Sequence, residues 1–148
     1  MALKRINPGK RMSAAVIHNG MAYLAGFVSE NAKGGSVKEQ TLDILADIDA
    51  TLKKAGTNKT NIVKANIWLT DMATFSQMNE AWDSWVVDGQ TPARATVESK
   101  LAAPGYDVEI MVEAAILKKS AKAKSAARPV KKAAKKAAKK AVKKLGRK

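Results

Sequence analysis

The sequence predicts an α+β domain of about six strands, with two helices on one face of their sheet, followed by a separate basic tail. Three observations predict it. Asp107 to Leu117 alternates almost without fault, with Val108, Ile110, Val112, Ala114 and Ile116 facing one way and Glu109, Met111, Glu113, Ala115 and Leu117 the other. Two apolar stripes at helical spacing each follow a Ser/Thr-x-x-Glu/Gln opening. The charge is also divided sharply. Of 148 residues, 118–148 hold 15 of the 27 Lys and Arg and no acid, leaving 12 bases against 13 acids and a net of −1 before them. The boundary falls after Leu117, giving a domain over 1–117 and a tail over 118–148.

In chain order, Leu3 to Ile6 is a short edge strand ending at Pro8-Gly9. Ala14 to Ile17 and Met21 to Val28 are β-prone and flank His18-Asn19-Gly20, an Asn-Gly hairpin signal in which both turn residues tolerate positive φ. His18 reads as a solvated flank. Ser36-Val37-Lys38-Glu39 is a capping box, and Val37, Thr41, Ile44, Leu45, Ile48, Leu52 and Ala55 trace the buried stripe of a helix that Gly56 ends. Asp43, Asp47 and Asp49 fall off that stripe and read as a solvated face. Asn61 to Thr70 is a further strand, with Val63, Ala65, Ile67 and Leu69 on one side. Thr74-Phe75-Ser76-Gln77 reads as a second capping box. Phe75, Met78, Trp82, Trp85 and Val86 then mark a core-facing helix ending at Asp88-Gly89. Arg94 to Lys100 and Asp107 to Leu117, joined through Ala103-Pro104-Gly105, read as a closing hairpin.

The composition excludes several function classes. Without cysteine there is no disulfide, thiol nucleophile or Cys-ligated metal, and the single His18 argues against a His-based metal site or triad. No cofactor is expected. No apolar run approaches the ~20 residues of a membrane span, and the N-terminus lacks the apolar core of a secretory signal; a cytoplasmic protein is expected. Two helices cover only one sheet face. The other, carrying Glu109, Met111 and Glu113, calls for another cover, which argues for self-association. A small-molecule site is expected between Arg94 and that mixed face. From spacing alone, an ion pair of Arg94 with Glu98 competes with this.

The domain resembles the RidA/YjgF family, also labelled endoribonuclease L-PSP. The resemblance rests on Gly26, Gln40-Thr41-Leu42, Leu52-Lys53-Lys54-Ala55-Gly56, Ile62-Val63-Lys64-Ala65, Leu69-Thr70-Asp71-Met72 with Phe75 and Asn79, Pro92-Ala93-Arg94 and Asp107-Val108-Glu109-Ile110. It implies a chorismate-mutase-like fold and a homotrimer with clefts between subunits. It also implies an arginine that holds a substrate carboxylate, and hydrolysis of enamines or imines to 2-oxo acids. Arg94 and Asn79 match the family's polar set. Met111 stands where the water-positioning glutamate belongs, Met12 where a cleft tyrosine does, Ala25 in place of a serine and Thr96 in place of a cysteine. Arg11-Met12-Ser13, Trp82-Asp83-Ser84-Trp85-Val86-Val87 and Tyr106-Asp107-Val108-Glu109-Ile110 look more like the YoaB-like branch. Arg94, Asn79, Thr96, Met111 and Met12 are therefore the expected substrate-binding residues. A thioether neither orients water nor moves protons, so carboxylate binding is expected and turnover is expected to be slow or absent. Glu109 and Glu113 lie two residues to either side of Met111, roughly 6–7 Å along the strand.

In the tail, Lys131, Lys132, Lys135, Lys136, Lys139, Lys140, Lys143 and Lys144 recur in a four-residue Lys/Ala repeat that resembles histone H1-like tails. It is expected to be disordered alone and to bind DNA or RNA without sequence preference, since uncompensated lysines neutralise phosphates and carry no base readout. A solubilising role is the plainer alternative. As a whole, the chain reads as a trimeric metabolite-binding protein tethered to nucleic acid. The alternative is a nucleoid-associated protein that uses the domain only for trimerisation or metabolite sensing.

Overall fold

The computed structural model describes residues 2–117. Seven strands form one sheet: β1 (Lys4–Pro8), β2 (Ser13–His18), β3 (Met21–Leu24), β4 (Phe27–Val28), β5 (Ile62–Leu69), β6 (Ala93–Glu98) and β7 (Val108–Ala115). The helices are α1 (Val37–Ala55) and α2 (Phe75–Trp85). The strand order is β1-β2-β3-β7-β5-β6, with β4 also paired to β7. The α+β expectation holds, with one strand more than the six expected.

The extra strand comes from a break in Met21–Val28. Tyr23 pairs with Glu113 and Phe27 with Ile110, so four steps along the first strand oppose three along β7. One residue is left over near Ala25-Gly26, which is a β-bulge, a feature that re-aims side chains. A second irregularity, between Ile62 and Lys64, gives the inward place to Ile62 and leaves Val63 46% exposed, against the expectation for Val63.

The alternation in β7 decides where the core lies. Val108, Ile110, Val112 and Ala114 are buried with Ala65, Ile67 and Leu69 beneath both helices. Helix α1 contributes Val37, Ile44, Leu45, Ile48, Leu52 and Ala55, and α2 contributes Met78, Trp82 and Trp85. The Ser36 box forms as expected, and Gly56 closes α1 at φ 84°. Asn19 and Gly20 take φ 49° and 76°, as the hairpin turn requires.

Other expectations are corrected. Thr74 makes no side-chain cap; its hydroxyl donates to the Asp71 carbonyl at 2.6 Å, because a 3-10 turn over Met72–Thr74, capped by Asp71, leads directly into α2. Helix α2 ends at Trp85, three residues short of Asp88. The closing hairpin does not exist: β6 runs parallel to β5, while β7 lies antiparallel on the other side of β5. A parallel pair needs a long crossover, and α2 supplies it in a β5-α2-β6 unit. Two of the three aspartates of α1, Asp43 and Asp49, are engaged beyond solvation. Asp43 accepts from Ser29 and Asn31, and Asp49 accepts from the Trp85 indole at 2.9 Å. His18 is half-buried, with Nδ1 enclosed and unpartnered. The tail lysines Lys131 to Lys144 lie outside the described residues.

Candidate functional site

The expected site residues do not fall together: Arg94, Asn79 and Thr96 lie on the helix side, Met111 on the other face of the sheet, and Met12 in the turn before β2. Arg94 and Thr96 are in register with Ala65 and Ile67, both buried toward the helices, so they share the helix face. Arg94 Nη1 lies 3.9 Å from Met78 Sδ, and its guanidinium carbon sits 5.2 Å from the Trp82 ring centroid and 5.9 Å from that of Phe75. Asn79 follows Met78 one turn beyond Phe75 and is half-buried. The Thr96 hydroxyl oxygen is enclosed without a partner. Arg94 itself is exposed at the edge of the sheet and joins no ion pair among the described residues. Glu98, its alternative partner from spacing, instead accepts the Met72 backbone N–H at 3.0 Å. One side of Arg94 is thus held by aromatic faces that favour a cation, and its planar fork remains open to a carboxylate.

Met111 faces the other way. Its ladder partner is Asn66, and continuing the β4–β7 register by one residue brings Gly26 across from it. Met12, 68% exposed, borders a cleft of ≈ 670 Å³ together with Ala14, Ala25, Gly26, Val28 and Asp47. This cleft opens where the β1–β2 turn parts from β4. Within one protomer, Arg94 and the mixed face of β7 therefore do not form a single site. The reason is the strand order: with β5 between β6 and β7, the two are never ladder partners, and the register turns Arg94 under α2.

Three arrangements across elements were not read from the sequence. Gln40, fully buried on α1, donates to Asp107 Oδ2 at 3.0 Å and accepts the Asp107 N–H at 2.9 Å, tying α1 to the start of β7. A glutamine inside an otherwise apolar stripe was the signal. Asp43 accepts from Asn31 Nδ2 and N and from Ser29 Oγ at 2.7 Å, fixing the segment after β4. The bonds from Asn31, then Ser29, hold its carboxyl below the usual range. The third is Gly26 against Glu109. A Cβ on Gly26 would collide with Glu109 Oε1 and stand 3.0 Å from its Cδ. Only the bulge, invisible in a count of alternation, brings these two together.

Among the described residues no cluster of His, Cys, Asp and Glu could hold a metal, and no helix is long and apolar enough to cross a membrane.

Comparison with known proteins agrees with this architecture. Residues 2–116 match the family model described as Endoribonuclease L-PSP. The RutC family protein YoaB of Escherichia coli is 47% identical over 116 residues, covering 78% of this chain and all of that one. A RutC family protein of Haemophilus influenzae is 47% identical over 112 residues, covering 76% of this chain and 97% of its own. The crystal structure of a YjgF family member from Neisseria meningitidis superposes with a TM-score of 0.77 at 42% identity, over 80% of this chain and 98% of that one. With the family model matched over 2–116 and relatives of 47% identity along almost their whole length, the chain belongs to the RidA/YjgF, or endoribonuclease L-PSP, family and has YoaB-like relatives.

Proposed function

We propose that the chain forms a homotrimer whose inter-subunit clefts bind a small carboxylate-bearing metabolite of the 2-imino or 2-oxo acid type. Arg94 of one copy clamps the carboxylate, and the Met12–Gly26–Met111 side of the next copy completes the cleft. One observation carries the reading. Arg94 is backed by Trp82, Phe75 and Met78, has no carboxylate partner among the described residues, and lies on edge strand β6, with β7 and β5 between it and the β4 side that lines the cleft. Two half-sites that a single protomer keeps apart make sense when a second copy joins them, and a closed ring joins every pair. Asn79 and the unpartnered Thr96 hydroxyl belong to the arginine half. With Met111 in place of an acid, hydrolysis is a slow side activity at most. The tail, with its 15 uncompensated charges, adds non-specific nucleic-acid binding.

The test is a thermal-shift titration of the full chain with small 2-oxo acids. A ligand bound only by the folded state raises the melting temperature. The shift is expected in the wild type and absent in Arg94→Ala at unchanged trimer mass; an equal shift in the variant removes Arg94 from the site. A second reading, that the domain serves mainly to trimerise nucleic-acid-binding tails, draws on the same tail charge. It is favoured if no metabolite shifts the melting temperature while DNA binding requires the tail.

A further inference from the structure

We propose that the domain carries a phosphate-binding surface of its own, at the end where the chain reaches Leu117. There Lys53, Lys54 and Lys59, with Lys4 beside them, take the backbone of a nucleic acid. This rests on the nucleic-acid binding proposed above for the tail, which remains the principal contact, and adds a second contact on the folded domain.

From Ala50 to Thr70 the chain has four lysines and no acid. Lys53 and Lys54 stand in the last turn of α1, and Lys59 opens the 3-10 turn Lys59–Asn61 that follows. Thr57, just past the helix, donates its hydroxyl to the Ala115 carbonyl at 2.6 Å, and the Ile116 N–H donates to the Gly20 carbonyl at 2.7 Å. Lys4 pairs with Ile17, one residue before His18, and shares the face of buried Ile6 beneath the helices. The end of α1, the 3-10 turn, the start of β1 and the last residues of β7 therefore meet at one end of the sheet. Leu117 is exposed there, and the 15 bases of 118–148 follow it in sequence.

These charges are uncommitted. Lys4, Lys53 and Lys54 are exposed and Lys59 is half-buried, and none of the four joins an ion pair among the described residues. Of the acids at this end, Asp49 accepts the Trp85 indole and Glu113 pairs with Lys64 at 3.7 Å. Asp83 and Asp88 flank Trp85 in sequence; neither pairs with Lys59, whose Nζ sits 5.3 Å from the Trp85 ring centroid. Lysines in the last turn also favour the negative end of a helix, but that leaves their ammonium groups open to phosphate. The turn is fixed in advance. Gly56 closes α1 at φ 84°, and Asn58 Oδ1 accepts the Thr60 N–H and hydroxyl at 2.9 and 2.6 Å, so little ordering remains to oppose binding. The exposed apolar residues here, Leu3, Val63 and Leu117, are scattered aliphatics. They do not make the amphipathic helix that a lipid surface takes. Three or four contacts are too few to hold a duplex against salt. Once the tail holds one, its phosphates stand at high effective concentration around the end of the domain.

The experiment is a salt series of fluorescence anisotropy with a short labelled DNA duplex and the full chain. One variant carries Lys53→Gln, Lys54→Gln and Lys59→Gln. A control loses the same charge at the opposite end of the sheet, through Lys33→Gln, Lys38→Gln and Lys100→Gln, where Lys38 pairs with Glu80 at 2.8 Å. The first variant is expected to bind about tenfold or more weaker at low salt, with a slope of log K against log salt shallower by about 2–3, at about 0.9 per lost contact. The control is expected to keep the wild-type slope. Lys53→Arg, Lys54→Arg and Lys59→Arg together keep the charge and are expected to keep the binding, which separates lost charge from lost folding. A wild-type slope in the first variant overturns the proposal and leaves the tail as the whole contact. Equal losses in variant and control overturn it too, since net charge and no particular surface would then explain them. So does a first variant that loses binding to phosphatidylserine vesicles and not to the duplex, for the surface would then serve a membrane. If the wild type binds no duplex at low salt, the tail reading falls together with this one.

Discussion

Asp43 shows how a residue off the buried stripe still shapes the cleft. Its carboxylate gathers Asn31 and Ser29, so the chain leaving β4 is fixed where it passes Val28 and Glu30, both cleft-lining. Those bonds lower its folded pKa below the unfolded one. Its stabilisation is therefore complete above the ordinary carboxylate range and is lost as pH falls through the lowered folded value. Asp43→Asn is expected to lower the melting temperature at pH 7 and to match the wild type once the wild-type carboxylate has protonated; melting curves of both from pH 7 to pH 2 check this. At Met111, the proposal that a thioether stands in place of a water-positioning acid predicts slow hydrolysis of 2-iminobutanoate. Met111→Glu is expected to raise the rate within the ~10²–10⁴ range associated with a general acid or base, and a coupled assay of imine loss reads the change. The expected departures from the family's polar set, at Met12, Ala25, Thr96 and Met111, could be named residue by residue because each falls inside a matched stretch of sequence. The partners of Asp43 and the closeness of Glu109 to Gly26 could not be, because each depends on a contact across elements that spacing does not encode.

At the scale of elements, local signals read well and pairing read poorly. The Ser36 box, the Gly56 terminus and the Asn19-Gly20 turn are set by neighbours in sequence, and each appears as expected. The β6–β7 hairpin failed because Ala103-Pro104-Gly105 turns the chain without the two strands becoming partners. The correct cue, strand-helix-strand over β5, α2 and β6, was present and means a parallel crossover. The link between α1 and β7 is testable at Gln40. Gln40→Ala leaves the Asp107 N–H without its partner and opens a buried void, a loss of about 2–4 kcal/mol. Urea unfolding should show that loss, and a change under about 0.5 kcal/mol, typical of a surface site, would mean that the tie is incidental.

For the whole molecule, the division at Leu117 separates a nearly neutral domain from a cationic tail, and their proposed tasks separate likewise. If some 6–10 tail lysines meet phosphates, log K should fall against log salt by about 0.9 per contact, and three tails on one trimer add avidity. Gel shifts across a salt series should show the full chain retarding duplex DNA of any sequence at low salt. A chain ending at Leu117 should not retard it; equal retardation would assign DNA binding to the domain. The central claim, however, is that the ligand site is divided between copies, and subunit mixing tests it most directly. Arg94→Ala disables one half, and Gly26→Trp, or the milder Met12→Trp, blocks the other. Neither variant alone should bind 2-oxo acids. Co-refolded in equal amounts, they should regain about a quarter of the wild-type sites, because every mixed ring contains one interface with both halves intact. Calorimetric stoichiometry reads that fraction. Recovery near a quarter is the result expected here; mixtures as inactive as their trimeric parents would contradict a shared site.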